Sequence, residues 1–333
     1  TARLVESNPS GGDTMDRRSF VLAGAALPLA ARAQSDYPNR PIRVIVPYAA
    51  GGGVDNFARP LAQKMAEQMG QPVVVENRGG GGGMIGSAQV AKAPPDGYTL
   101  LCHAQTLYLA PLMTKSPPYD AVKEFTPIVR AVTTPVVVVV HESLPVRNMK
   151  ELIDYARAQP AGLDYVTASV GSQQHLTGET LAVRTKTKLV HVAYKGGHQA
   201  LVDLAAGQVK MGILIMSTVL PFVQSGKLRV IAAIEGQRST TFPDVPTAAE
   251  NGLPGFAMPD TFMALYGPAG MSPAIVRRIS DETKKAVESA EVRAALKTIG
   301  YEPAVTTPSE FADIARKTHA MYVDMLAETK LTI

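Results

Sequence analysis

One segment, residues 42–59, constrains the chain more than any other. It reads I-R-V-I-V-P-Y-A-A-G-G-G-V-D-N-F-A-R. The apolar run 42–46 has the length of a buried strand. Gly51, Gly52 and Gly53 then make a turn. Val54, Phe57, Leu61, Met65 and Met69 follow at helical spacing. A strand, a glycine turn and a helix start bring free N–H groups and the positive end of a helix dipole to one point, which suits an anion. Glycine matters there because a side chain would hold the ligand off the backbone. Phosphate and carboxylate both fit, so the choice rests on the rest of the chain.

The N-terminal residues read as an export signal. Met15 precedes Asp16, Arg17 and Arg18, and a short apolar stretch covers 20–31. It ends in Ala31-Arg32-Ala33, an A-x-A cleavage pattern that predicts a cut after Ala33. The stretch is too short for a membrane span. Arg17, Arg18 and Phe20 also resemble a twin-arginine signal, although Asp16 stands where Ser or Thr is usual. Sec and twin-arginine export both stay open, and either predicts a periplasmic protein. Residues 1–33 carry four basic and three acidic side chains, so setting them aside takes the formal charge from +4 to +3. No basic block remains, which argues against a nucleic-acid partner. The single cysteine, Cys102, permits no internal disulfide and sits in a strand-like run, where a core thiol is expected.

Strand and helix patterns alternate along the chain. Strands are expected at 72–76, 98–102, 125–132, 136–140, 163–168, 189–193, 209–215, 228–234 and 262–266. Helices are expected at 84–93, 173–184, 198–206, 221–224, 273–298 and 308–326, with a further helix face on Met149, Leu152, Ile153 and Ala156. This alternation predicts an α/β fold with largely parallel sheets. The all-valine run 136–140 has no polar face, so it belongs inside a sheet. About 300 residues exceed one comfortable core, so two domains are expected. The run at 262–266 would return the chain to the first. The boundaries are then 34–137 with 259–333 for domain 1, and 138–258 for domain 2.

Enzyme motifs fail on inspection. A dinucleotide fingerprint from Gly51 needs glycine at 56, which is Asn56. The hydrolase elbow around Ser169 needs glycine at 167, which is Thr167. With Ser172 as helix cap, His175 falls at the third helical position, a place for packing. The six histidines show no metal-binding spacing. No cofactor and no metal are expected. Glu76 reads as a solvated carboxylate at a strand end. Asp55 fits two roles, complementing the helix dipole or touching a ligand. The glycine run 79–83 and Lys195 each fit a functional and a bland role.

A family resemblance follows from an ordered series of motifs. Pro47, Tyr48, Gly51, Gly52, Asp55, Ala58 and Arg59 fit P-[YF]-x-x-G-G-x-x-D-x-x-A-R. Val75-Glu76-Asn77-Arg78 precedes the glycine run, and A-P-P-D-G-Y-T occupies 93–99. Ser169, Gly171, Ser172, His175, Leu176 and Glu179 form a second cluster. Tyr194, Lys195, Gly196, Ala200, Asp203, Leu204, Gly207 and Val209 form a third, and P-D-V-P-T occupies 243–247. The series resembles the tripartite tricarboxylate transporter receptors, the Bug family, from Tyr37 to the C-terminus.

The resemblance implies a two-lobed periplasmic-binding-protein fold, type II-like, with two hinge strands and no enzymatic activity. It implies a monomer that closes on a small organic acid and delivers it to membrane permease subunits. The acid is a di- or tricarboxylate, an amino acid or an aromatic carboxylate. An exported hydrolase and a receptor feeding a signalling sensor are the alternatives. The resemblance places the ligand carboxylate between Tyr48, Ala49, Ala50, Gly51, Gly52 and Gly53 on one lobe and Ser169, Val170, Gly171 and Ser172 on the other. Lys195, Gly196, Gly197, Gln105, Thr106, Ser217 and Asp260 are its weaker candidates. Two departures stand out. Ala50 replaces the family's frequent proline, and the tryptophan common near the return strand is missing, with Asp260-Thr261-Phe262 there instead.

Overall fold

The structure is a computed structural model that describes residues 37–192, 194 and 197–331. The expected export signal, with its cleavage point after Ala33, lies outside the described residues, as do Lys195 and Gly196. The chain from Arg40 onward forms one compact unit. Its strands are β1 (Ile42–Val46), β2 (Val73–Asn77), β3 (Thr99–Ala104), β4 (Phe125–Thr133), β5 (Val136–His141), β6 (Leu163–Val166), β7 (Leu189–Val192), β8 (Met211–Ile215), β9 (Leu228–Ala233), β10 (Phe262–Pro268) and β11 (Glu302–Pro303). The helices are α1 (Gly53–Met69), α2 (Met84–Ala91), α3 (Met149–Arg157), α4 (Gln173–Thr185), α5 (Gly197–Ala205), α6 (Met216–Gln224), α7 (Pro273–Glu288), α8 (Ala290–Thr298) and α9 (Pro308–Thr329).

Two sheets form, in the orders β11-β4-β10-β3-β1-β2 and β7-β6-β8-β5-β9. β1 runs parallel to β2 and β3, while β10 runs antiparallel to β3 and β4. So β1, β2, β3 and β4 all end on the same side. In the second sheet β6 runs parallel to β7 and β8, and β5 runs antiparallel to β8 and β9. Here β6, β7, β8 and β9 all end where β5 begins. β4 stops at Thr133 and β5 starts at Val136. The carboxyl ends of both strand sets therefore meet around one short crossing, where ligands bind in open α/β sheets. β5 and β10, reversed in their sheets as the short β11 also is, are the strands into which the two crossings lead.

The run 262–266 does rejoin the first sheet, as β10. The two crossings lie side by side, since the Thr134 N–H donates to the Thr261 carbonyl at 3.0 Å. Glu235, near the start of the second crossing, accepts the Val136 N–H of the first at 3.0 Å.

β5 shows why an all-valine strand was needed. Its five valines are fully buried, but alternation sends them to different cores. Val136, Val138 and Val140 join the large core with Tyr165, Phe262, Tyr266 and Phe311. Val137 and Val139 join a smaller core with Val166, Leu204 and Val219. Each buried valine is worth about 1.5–3 kcal/mol.

Local signals hold elsewhere. All five apolar residues of the expected α1 stripe are buried. Ser272 and Thr307 cap α7 and α9, Thr307 through a reciprocal box with Glu310. Two expectations fail. The helix expected over 273–298 is broken at Ser289, which ends α7 and caps α8 by accepting the Val292 N–H at 3.3 Å. The helix expected to open at Pro221 begins five residues earlier, at Met216, and carries Pro221 inside it. The apolar residues of 216–220 continue the strand's pattern and hide the change of period.

α4 packs on β6 through Gly178. A Cβ there would meet the Tyr165 ring at 2.2 Å. That ring cannot easily yield, because its hydroxyl donates to Glu179 at 2.8 Å and the side chain is buried. Gly178→Ala is expected to cost about 1–3 kcal/mol through overpacking. Calorimetry should show the melting temperature falling by several degrees, and an unchanged value would contradict this packing.

Candidate functional site

The first-sheet loop is organised by one carboxylate. Asp55, in the first turn of α1, is 1% exposed. Its Oδ2 accepts the Gly51 N–H at 2.8 Å and Arg59 Nε at 2.8 Å. Its Oδ1 accepts Asn77 Nδ2 at 2.9 Å. Asn77 also donates to the Tyr48 carbonyl at 3.1 Å and accepts from Arg59 at 2.9 Å. The loop is thus tied at both ends to the same buried group. Burial pushes the Asp55 carboxyl up, but hydrogen bonds from Arg59, Gly51 and Asn77, with the Arg59 charge, outweigh it and leave the group below its ordinary value. The geometry shows a structural role different from the expected one: Asp55 anchors the Gly51 turn and pairs with Arg59, and it bonds to no N–H of the helix start. Glu76 is not simply solvated. Two hydrogen bonds from Arg43, at 2.6 and 2.9 Å, and one from Arg78 lower its carboxyl to about 2.

With Asp55 facing back to Gly51, the helix start is left open. Gly52 caps α1 with no side chain, and Gly53 begins it. Among the described residues the N–H groups of Gly53 and Val54 have no protein acceptor. A Cβ on Gly53 would lie 2.6 Å from the Tyr301 hydroxyl, so glycine lets that side chain approach the helix start. Gly300, beside Tyr301, leaves no room for a Cβ against Ser217, the second residue of α6, which it would meet at 2.0 Å.

The Tyr48 side chain is engaged by residues at the end of β3 and just after it. Its hydroxyl meets Thr106 Oγ1 at 3.1 Å and His103 Nε2 at 3.4 Å. Burial raises the Tyr48 phenol to about 12 and lowers the His103 imidazole to about 4, so both are neutral. His103 Nδ1 lies 2.7 Å from the Ala104 carbonyl, which fixes the proton there. The glycine run closes on this pair, as a Cβ on Gly83 would meet His103 Nε2 at 3.0 Å.

The second-sheet loop follows β6. Ser172 caps α4, accepting the His175 N–H at 3.2 Å and donating to the Ser169 carbonyl at 2.7 Å. Ser169 and Val170 are exposed. Gly171 has φ 72°.

Two adjacent residues join the loops. Thr106 holds Tyr48, and its neighbour Gln105 donates to Gln173, the first residue of α4. Gln105 also accepts the Phe262 N–H at 3.2 Å, and Thr261 donates to Gln173 at 3.2 Å. Residues 105 and 106 thus bond the first loop at Tyr48 and the start of α4 at Gln173, beside the crossings. Gln105 is buried in this link, while Ala49 and Ala50 are exposed in the first loop. Asp260 stands elsewhere. It pairs with Arg130 at 3.2 Å and lines a cavity of about 610 Å³ with Glu235 and Glu302, which includes neither loop. Gly197 opens α5, after Lys195 and Gly196. Tyr301, Gln173 and Asn77 are the contributors that spacing missed. Only Asn77 had a signal, its place before the glycine run. Among the described residues no group of three metal-ligating side chains occurs, and no helix is long and apolar enough to cross a membrane.

Two helix-flanked sheets joined by paired crossings, with helix starts at the strands' carboxyl ends, define the fold of the periplasmic solute-binding proteins. The profile of one such family, described as "Tripartite tricarboxylate transporter family receptor", matches residues 57–330. Protein BugT of Bordetella pertussis is 37% identical over 293 residues, 87% of this chain and 89% of that protein. Among solved structures, Rpa4515 of R. palustris with adipate is 30% identical, with TM-score 0.76, covering 89% of this chain and 99% of that one. MatC of Rhodopseudomonas palustris with bound malate is 28% identical, with TM-score 0.71, covering 87% and 100%. The chain belongs to the tripartite tricarboxylate transporter receptors, the Bug family of periplasmic solute-binding proteins.

Asp55→Asn keeps the shape and removes the charge. It is expected to cost about 2 kcal/mol, the scale of hydrogen bonds to a charged group. Since the folded-state carboxyl lies below its ordinary value, the wild-type advantage is complete above that ordinary value and shrinks as pH falls through the folded one. Urea unfolding at pH 7 and pH 3 checks this, and equal stability at pH 7 would refute the anchoring role.

Proposed function

We propose that the protein captures a small organic carboxylate between residues 48–53 and 169–172 and delivers it to the permease subunits of a tripartite tricarboxylate transporter. The reading is carried by the open start of α1, where Asp55 bonds back to Gly51 and leaves the Gly53 and Val54 N–H groups for a ligand. Such donors suit an anion, because charge-assisted hydrogen bonds are short and strong. Relatives solved with adipate and malate support the ligand class. The two sheets act as lobes that move about the paired crossings, and the ligand favours the closed state through its better fit there. Binding proceeds without chemistry. Thr106 and Tyr301 line the cleft, with Ser217 at its edge and Gly197, at the start of α5, on the second lobe. Asp260, paired with Arg130 in a separate cavity, stays outside it.

The test is thermal unfolding of the refolded, ligand-stripped protein against a panel of carboxylates. An acid at a hundred times its dissociation constant adds about 2.7 kcal/mol, a shift of several degrees. A shift with a nucleotide or a sugar and with no acid would overturn the ligand class. Gly53→Ala should weaken binding of the responding acid about tenfold by displacing the Tyr301 hydroxyl, while Gly53→Ala with Tyr301→Phe should recover part of it. Unchanged affinity in the single variant, read by calorimetric titration, would remove the α1 start from the site.

A further inference from the structure

The loop 169–172 is held from below by two histidines that ligand contact does not explain. His175, on α4, accepts the Gly171 N–H at its Nδ1, 3.2 Å away. That bond requires Nδ1 to be unprotonated, so the neutral ring carries its proton on Nε2. His191, on β7, stacks against it with ring centres 4.0 Å apart and planes 23° apart. His191 Nε2 lies 2.8 Å from the Thr167 hydroxyl, which donates in turn to the Ser169 carbonyl at 3.2 Å. So the ring pair fixes the loop at two backbone atoms, one N–H and one C=O.

We propose that His175 is the positioning residue of this binding loop, holding Gly171 only while its imidazole is unprotonated, and that gain of a proton releases the loop and weakens ligand capture. The last step rests on the function proposed above. The first stands on the geometry alone.

The titratable groups that face His175 set the sign. Glu179, on the same helix, lies 3.8 Å from Nε2 and favours the cation. It is partly engaged, since Tyr165 of β6 donates to it at 2.8 Å. His191 opposes a second charge in the stack, and its own ring is lowered to about 4 by burial and by His175. Burial lowers His175 as well. The neutral ring thus dominates at neutral pH. Its hold on Gly171 is complete above the ordinary imidazole value and is lost as pH falls through the lower folded-state value. A protonated ring would turn a donor toward the Gly171 N–H, and the two would repel.

The test has two arms. In the first, without ligand, ¹⁵N NMR of the wild-type protein should show His175 as the Nε2–H tautomer. The Gly171 amide shift should follow the His175 titration below pH 6.5. A His175 ring protonated at Nδ1 at pH 7, or a Gly171 amide indifferent to that titration, would overturn the proposal. In the second, malate and adipate are the probes, titrated calorimetrically between pH 7 and 5. His175→Gln can accept from Gly171 and cannot gain a proton. Wild-type affinity should fall by up to about tenfold more per pH unit than that of His175→Gln, the slope of one linked proton. The variant cancels any titration of the ligand itself. Parallel profiles would refute the link to capture. Binding of neither probe would count against the ligand class and leave the NMR arm to decide the positioning role.

Discussion

The buried carboxylate of Asp55 is the interaction on which the site depends. A helix start in need of anions would ordinarily be satisfied by its own first-turn acid. Here that acid is turned away. It receives Gly51 from the loop, Asn77 from the next strand and Arg59 from one turn along the helix. The charge is neutralised from behind, and the front of the helix keeps its donors. Arg59 carries the compensating charge at the surface, so the desolvation cost of Asp55 is met without a cation beside the ligand position. The family motif is thereby explained as one device. The aspartate, the arginine four residues on and the asparagine that ends the second strand act together.

Much of the fold was legible because periodicity is a local property. The α1 stripe, the caps at Ser272 and Thr307 and the valine run each announce themselves within one short contiguous segment. What the pattern hid was the direction of β5 and β10, since an apolar strand reads alike in either direction. It also hid the break at Ser289, where a serine inside a helical pattern became a cap. The site was legible in part. The glycine loop is a contiguous signal, but the bonds that shape it join residues far apart. Gln105 and Gln173 are 68 positions apart, and Asp55 and Asn77 are 22 apart. Nothing in spacing marks Tyr301 as a neighbour of Gly53, because only folding brings the turn after α8 to the start of α1.

The link through Gln105 and Gln173 has a further meaning for motion. Both amides are buried beside the crossings, and they tie the end of β3 to the start of α4. In the closure proposed above, movement of the sheets about the crossings would leave this point nearly still and displace the outer loops most. On that proposal the amides act as a bearing, with capture at its rim.

The paired crossings carry a consequence for how the chain is assembled. The stretch that builds the second sheet leaves the first beside Thr134 and returns beside Thr261, and those two residues share a hydrogen bond. Its ends are neighbours, so the stretch is an insertion into the first sheet: the pairing of β4 with β10, Thr133 opposite Phe262, closes that sheet at the very point where the chain leaves and returns.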